Sequence, residues 1–136
     1  MNICFIILAG GESKRFNSKT PKLYHLYKGK PLLLHSIDKV KNYKKFKKIV
    51  LVINKKHKNF IKNLKIRNVS IIEGGRTRAE SAYKALQSIR KYNFKTVMIH
   101  DAARPDFSTK LLDKLNKEIK SNDCVVPAIQ TTDSIK

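Results

Sequence analysis

This 136-residue chain has few acidic side chains, few arginines and only two cysteines. Ten Asp and Glu stand against 30 Lys and Arg, a formal net charge of +20. Arginine occurs only at 15, 67, 76, 78, 90 and 104. That shortage argues against a surface that reads nucleic-acid bases, because the planar arginine fork is the favoured reader of guanine. The lysines are scattered, as in Lys44-Lys45 and Lys55-Lys56, which is the pattern of a solvated surface. Weak, salt-sensitive attraction to polyanions is expected of such charge; specific nucleic-acid binding is not. Cys4 and Cys124 each sit in an apolar run and outside any metal-ligand spacing, so both are expected as small buried core residues without a disulfide. No apolar run is long enough to span a bilayer. The apolar opening has no basic region before it and runs into glycines rather than a cleavage site. A cytoplasmic protein with no membrane partner is expected.

Hydrophobic residues make up 41 % of the chain, enough for a core, and the length suits one domain. Apolar runs predict strands at 2–8, 48–54, 69–73, 96–99 and 124–129. Helical patterns fall between them. Pro31 opens one with Leu33, Leu34, Ile37 and Val40 on a single face, and a short helix follows over 57–64. Thr77-Arg78-Ala79-Glu80 has the form of a capping box, ahead of apolar positions Ala82, Leu86 and Ile89. Ser108 is placed to cap a helix carrying Leu111, Leu112, Leu115 and Ile119. Strands alternating with helices imply an α/β fold, a mostly parallel sheet covered on both faces. Ligands of such sheets bind beyond the carboxyl ends of the strands. That rule selects the loops 9–22, 74–81 and 100–105, which hold four of the six arginines. An arginine-poor chain that gathers arginine at this edge points to phosphate chemistry.

Each loop carries a constellation suited to that chemistry. Ala9-Gly10-Gly11 is small enough for backbone N–H groups to approach a triphosphate, and Arg15 and Lys22 can neutralise charge building on phosphorus. The segment is neither a Walker loop nor a GxGxxG turn. Taken alone, it is a glycine turn with solvated cations. Gly74-Gly75 allows a flat base or ribose against the backbone, with Ser81 as a hydrogen-bonding partner; a plain strand-to-helix turn is the bland reading. Asp101, at a strand end beside bound phosphates, is a natural Mg²⁺ ligand, and Ala102-Ala103 leaves room for a ligand. Arg104 is read as holding the loop by ion pairing, and His100 as packed rather than catalytic. Asp133 and Lys136 stand where they reach a sugar phosphate, or else belong to a solvated turn.

In this order the segments resemble the 2-C-methyl-D-erythritol 4-phosphate cytidylyltransferase family of non-mevalonate isoprenoid synthesis. The carriers are Ala9-Gly10-Gly11 with Ser13, Arg15, Pro21, Lys22 and Tyr24; Gly74-Gly75 with Arg78 and Ser81; His100 to Pro105; and Thr132 to Lys136. The resemblance covers the whole chain and implies a three-layer α/β/α nucleotidyltransferase fold, with residues 1–136 as the N-terminal portion of the cytidylyltransferase domain. It implies CTP, Mg²⁺ and a sugar phosphate whose oxygen attacks the α-phosphorus, with pyrophosphate leaving. Arg15 and Lys22 match the residues that stabilise the crowded phosphorus, and Asp101 matches the acidic residue near metal and substrate. Ala9, Gly10, Gly75, Ser81 and Ala102 match positions around the nucleotide. Arg76 replaces an acidic residue found in some members, which leaves base recognition there open. Bifunctional relatives add a cyclodiphosphate synthase domain, and Arg76 to Glu80 is similar to their version of the loop.

Family members run on beyond Lys136 into an arm that pairs subunits, so a homodimer is expected of the full-length protein. A 136-residue piece is expected to be truncated at its C-terminus, weakly active or inactive alone, and prone to associate. Ribitol-5-phosphate cytidylyltransferases and other sugar-phosphate nucleotidyltransferases are the near alternatives. A non-catalytic basic polyanion-binding module is the alternative of another class.

Overall fold

A computed structural model describes residues 2–12 and 17–131. The chain divides into two compact units, Met1–Pro105 and Asp106–Lys136.

The first unit is built on β1 (Ile3–Ala9). A hairpin of β2 (Leu26–Tyr27) and β3 (Lys30–Pro31) follows, then α1 (Leu32–Tyr43), β4 (Lys48–Ile53) and α2 (Lys58–Asn63). β5 (Ser70–Glu73), α3 (Arg78–Ile89) and β6 (Thr96–Asp101) complete it. The four longer strands form one parallel sheet in the order β5-β4-β1-β6. All seven residues of β1 are buried, as the central strand of a doubly covered sheet requires.

Strand alternation sends successive side chains to opposite faces. Cys4, Ile6, Leu8, Val50 and Val52 pack with Ala85 and Ile89 of α3. On the other face the Phe5 ring lies 4.8 Å from Phe46, which in turn meets Tyr43 at the end of α1. Leu33, Ile37 and Val40 of α1 are buried, as the spacing predicts. The expected covering of both faces is therefore present in this unit. Burial raises the Cys4 thiol to about 11, so it stays protonated and inert.

Two details depart from the sequence reading. The buried positions of α3 are Ser81, Ala85 and Ile89, while Leu86 is 40 % exposed. Small residues let a helix sit close to a sheet, and here size outweighs hydrophobicity. The β2–β3 hairpin went unforeseen; its two-residue turn places Lys28 and Gly29 at φ 48° and 84°. Positive φ at both central residues suits the right-handed twist of hairpin strands. Four more non-glycine residues, Lys44, Lys65, Asn68 and Asn93, also take positive φ at turns.

In the second unit α4 (Thr109–Glu118) is capped as expected, Ser108 accepting from the Leu111 N–H at 3.1 Å. Leu112 and Asn116 are its buried residues. The strand expected over 124–129 does not form, and Cys124 is exposed rather than buried. An apolar run becomes a strand only when a neighbour supplies the other half of the ladder, and among the described residues none is paired with it.

Candidate functional site

Parallel register aligns the strand ends into one rim. Ala9 is level with Ile53, Ile53 with Glu73, and Leu8 with Asp101. From β1 the chain passes to β4 and then β5 on one side, and β6 lies on the other. The reversal between β1 and β6 is a topological switch point, where loops leave in opposite directions and open a crevice. β6 extends to Asp101, so this carboxylate belongs to the strand's last residue rather than to the loop beyond.

The turn after β5 is closed by its own hydrogen bonds. Gly74 N–H donates to Ile53 O at 2.9 Å and Gly75 N–H to Ser81 Oγ at 3.0 Å. Arg76 N–H donates to Glu80 Oε2 at 2.8 Å, and Glu80 N–H to Thr77 Oγ1 at 3.0 Å. The capping box is thus present with a shift: Glu80 reaches the residue before the N-cap rather than the cap itself. The glycines are needed for space. A Cβ on Gly74 would lie 2.6 Å from Ser81 Oγ, and one on Gly75 2.3 Å from Glu80 Cγ. Gly10, at the end of β1, faces the same hydroxyl, its Cβ position being 3.3 Å from Ser81 Oγ. Buried Ser81 therefore joins the turns after β1 and β5.

Ala102 is fully buried. Its N–H donates to Leu8 O at 2.9 Å and its carbonyl accepts from Ser36 Oγ at 2.9 Å, so the chain leaving β6 is fixed to both β1 and α1. Just before it, Asp101 Oδ1 accepts from Arg78 Nε at 3.0 Å. Arg104 lies farther off, its Nε 3.8 Å from Oδ2. The ion pair expected of Arg104 is thus present, but Arg78 is the nearer partner. His100 packs as expected: its ring is 6.1 Å from Phe5, and its Nε2 lies 2.7 Å from Arg104 O. Burial lowers its pKa, so the neutral imidazole is favoured.

Lys22 opens a single 3-10 turn, Lys22–Tyr24, and is exposed. Behind it Tyr24 stacks on Phe60 at 4.8 Å and meets the His57 ring edge-on at 5.5 Å. Sequence reasoning took Tyr24 only as part of a motif; here it is the anchor that seats the turn carrying Lys22. Burial raises the Tyr24 phenol to about 12 and lowers the His57 pKa, so both are held neutral. At the other end of the loop, Asn54 Nδ2 donates to Gly10 O at 3.3 Å, and exposed Gly11 leads on to Glu12, which pairs with Lys56.

The structure therefore brings Gly10 close to the hydrogen-bonded pair of Gly75 and Ser81 and puts Ala9, Asp101 and Ala102 along the same rim. Among the described residues, no hydrogen bond or ion pair links the Lys22 ammonium to that corner. Arg15, Asp133 and Lys136 lie outside the described residues. No group of three or more His, Cys, Asp and Glu side chains stands ready to hold a metal among the described residues. A single carboxylate does fit Mg²⁺ of the kind that arrives on substrate phosphates and keeps most of its other ligands from them and from water.

A parallel α/β sheet with glycine turns and an arginine-held carboxylate at its switch point defines the class: an α/β protein built to bind a ligand beyond its strand ends. The comparisons narrow it. The chain belongs to the IspD family, 2-C-methyl-D-erythritol 4-phosphate cytidylyltransferase, whose family model matches residues 3–136. It is 74 % identical over 136 residues to the bifunctional enzyme IspD/IspF of Pelagibacter ubique, covering all of this chain and 37 % of that protein. The solved bifunctional IspDF of Campylobacter jejuni superposes with a TM-score of 0.87 at 34 % identity, over 100 % of this chain and 35 % of that one. The 4-diphosphocytidyl-2C-methyl-D-erythritol synthase of Anaerococcus prevotii gives a TM-score of 0.81 at 28 % identity, over 98 % and 58 %. The chain thus spans little more than a third of its bifunctional relatives. Among the described residues, no helix is long and apolar enough to cross a membrane.

Proposed function

We propose that the protein carrying this chain transfers a cytidylyl group from CTP to 2-C-methyl-D-erythritol 4-phosphate and releases pyrophosphate. Family membership supports the reaction. The observation that carries it is Asp101 at the end of β6, level with Leu8 of the central strand, held by arginine beside the glycine turns. In this reading a phosphate oxygen of the acceptor forms a bond to the α-phosphorus as the bond to the pyrophosphate oxygen breaks. Lys22, and Arg15 by resemblance, balance the negative charge that grows on the phosphoryl oxygens. The small rim residues Ala9, Gly10, Gly11, Gly75 and Ala102 are assigned to the nucleotide's surroundings, where exposed Gly11 offers its backbone and the others, without bulky side chains, leave space. Ser81 accepts from Gly75, which leaves its own proton to donate. Asp101 would hold Mg²⁺ on the protein side, and the ion would supply charge neutralisation to the substrate phosphates. Asp133 and Lys136 are assigned to the sugar phosphate. The intact protein is read as a cytoplasmic homodimer, to be checked by light scattering and cell fractionation.

The test is pyrophosphate release by the intact protein from CTP with each acceptor in turn. Turnover with methylerythritol phosphate and little with ribitol 5-phosphate is expected. Release with neither acceptor under saturating Mg²⁺ overturns the proposal.

A further inference from the structure

We propose that Arg78 is a positioning residue, one that sets the Asp101 carboxylate and ties the glycine turn after β5 to the end of β6. The inference rests on the reading of Asp101 as the carboxylate on the nucleotide's phosphate side.

β5 and β6 are opposite edges of the sheet, with β4 and β1 between them. Side chains from the two ends of the rim meet only if something reaches across the switch point. Arg78 does so, from the first residue of α3 to an aspartate 23 positions later in sequence. Its backbone is well placed for the task. The Thr77 cap precedes it and Glu80 closes back on Arg76, so Arg78 leaves a turn that is already fixed.

Local helix energetics do not account for an arginine at this position. The first turn of a helix is the positive end of its dipole and favours acids. Arg78 is unfavourable there unless a carboxylate lies beside it, and Asp101 is that carboxylate. The two Asp101 oxygens are also unequal: Oδ1 is at 3.0 Å from Arg78, whereas Oδ2 is 3.8 Å from Arg104. Arg78 thus takes one oxygen and leaves the other less committed. Because the pair is solvent-exposed, its worth to stability is small. Its effect falls on orientation, where a displacement of about 1 Å is enough to slow a reaction about a hundredfold.

The experiment uses the intact protein and four variants: Arg78→Ala, Arg78→Lys, Asp101→Asn and the double variant Arg78→Ala/Asp101→Asn. Steady-state kinetics with CTP are read beside the melting temperature and the Arg78 Nε–H signal in ¹⁵N NMR. Arg78→Ala is expected to lower kcat about 10- to 100-fold with little change in KM or melting temperature. Arg78→Lys should recover only part of the loss, since a lysine keeps the charge without the fork. The double variant should be no slower than Asp101→Asn alone, and the Nε–H signal, protected in the parent protein, should be lost in Asp101→Asn. Full kcat in Arg78→Ala, alongside a protected Nε–H in the parent protein, overturns the positioning role alone. Losses that multiply in the double variant overturn it as well. Full kcat in Asp101→Asn removes the reading of Asp101 on which the inference stands.

Discussion

The turns after β5 and β1 meet at Ser81 yet are built by opposite means. The turn after β5 is short and closed by hydrogen bonds between its own backbone and its own side chains, Thr77, Glu80 and Ser81. The loop after β1 is longer, and its described residues are held at the two ends by other elements: Asn54 at Gly10, and the aromatic cluster of His57 and Phe60 at Tyr24. Rigidity in the first is local and written into the seven consecutive residues 75–81. In the second it is borrowed from α2 and the segment between β4 and α2. The side proposed for the base is therefore preformed, and the side proposed to bear the catalytic cation depends on distant packing.

Lys22→Ala tests the cationic side most severely. In the intact protein kcat is expected to fall about 10²- to 10³-fold, while Lys44→Ala, on the far end of α1, changes turnover little. Equal effects in steady-state assays erase the distinction between the loop's lysine and the solvated ones. Next comes Tyr24→Ala, which removes a buried ring and is expected to cost about 3–4 kcal/mol in chemical denaturation. Tyr24→Phe is expected to be neutral or slightly stabilising, since the buried hydroxyl has no hydrogen-bond partner among the described residues. On the preformed side, Ser81→Ala leaves the Gly75 N–H without its acceptor, at about 1–3 kcal/mol. Thr77→Ala removes only the cap, at about 1 kcal/mol. A Ser81→Ala protein as stable as its parent would show that the turn is closed by something other than this hydroxyl.

The smallest effect is that of acid. Burial lowers the His57 and His100 pKa values in the fold, so the unfolded chain binds protons first as pH falls. Stability from these neutral rings is fully present above the unfolded value of about 6.5 and is lost as pH drops through their lower folded values. The melting temperature is expected to decline on acidification from pH 7 to 5. His57→Gln should flatten part of that decline, and an unchanged slope assigns it to His100.

Much of this was legible in the sequence where the cause is local. A continuous apolar run marked β1 and a β-branched run marked β4, because a strand covered on both faces needs apolar residues at nearly every position. Thr77 and Ser108 announced their helices because a cap acts over three residues. The rim loops followed from the alternation of strands and helices alone. What escaped depends on partners far along the chain. The run at 124–129 has the composition of a strand but no neighbour to complete it. Leu86 is more apolar than Ala85, yet the closeness of α3 to the sheet buries the smaller residue. Nothing near Arg78 announces Asp101, and nothing near Tyr24 announces Phe60. The Lys28-Gly29 turn joins strands of only two residues each, too short for an apolar pattern to mark them.

The chain holds five glycines, and Gly10, Gly11, Gly74 and Gly75 all lie at the rim. Elsewhere, lysine and asparagine bend the backbone into the left-handed region at Lys44, Lys65, Asn68 and Asn93. Each lysine among them stores about 1–2 kcal/mol of steric strain that glycine would relieve, whereas asparagine adopts this region readily. The fold therefore keeps an untapped reserve of stability in its outlying corners. Glycine placed at Lys44 or Lys65 should raise thermal tolerance without touching the crevice, giving a sturdier background in which damaging changes at the rim can be studied in folded protein.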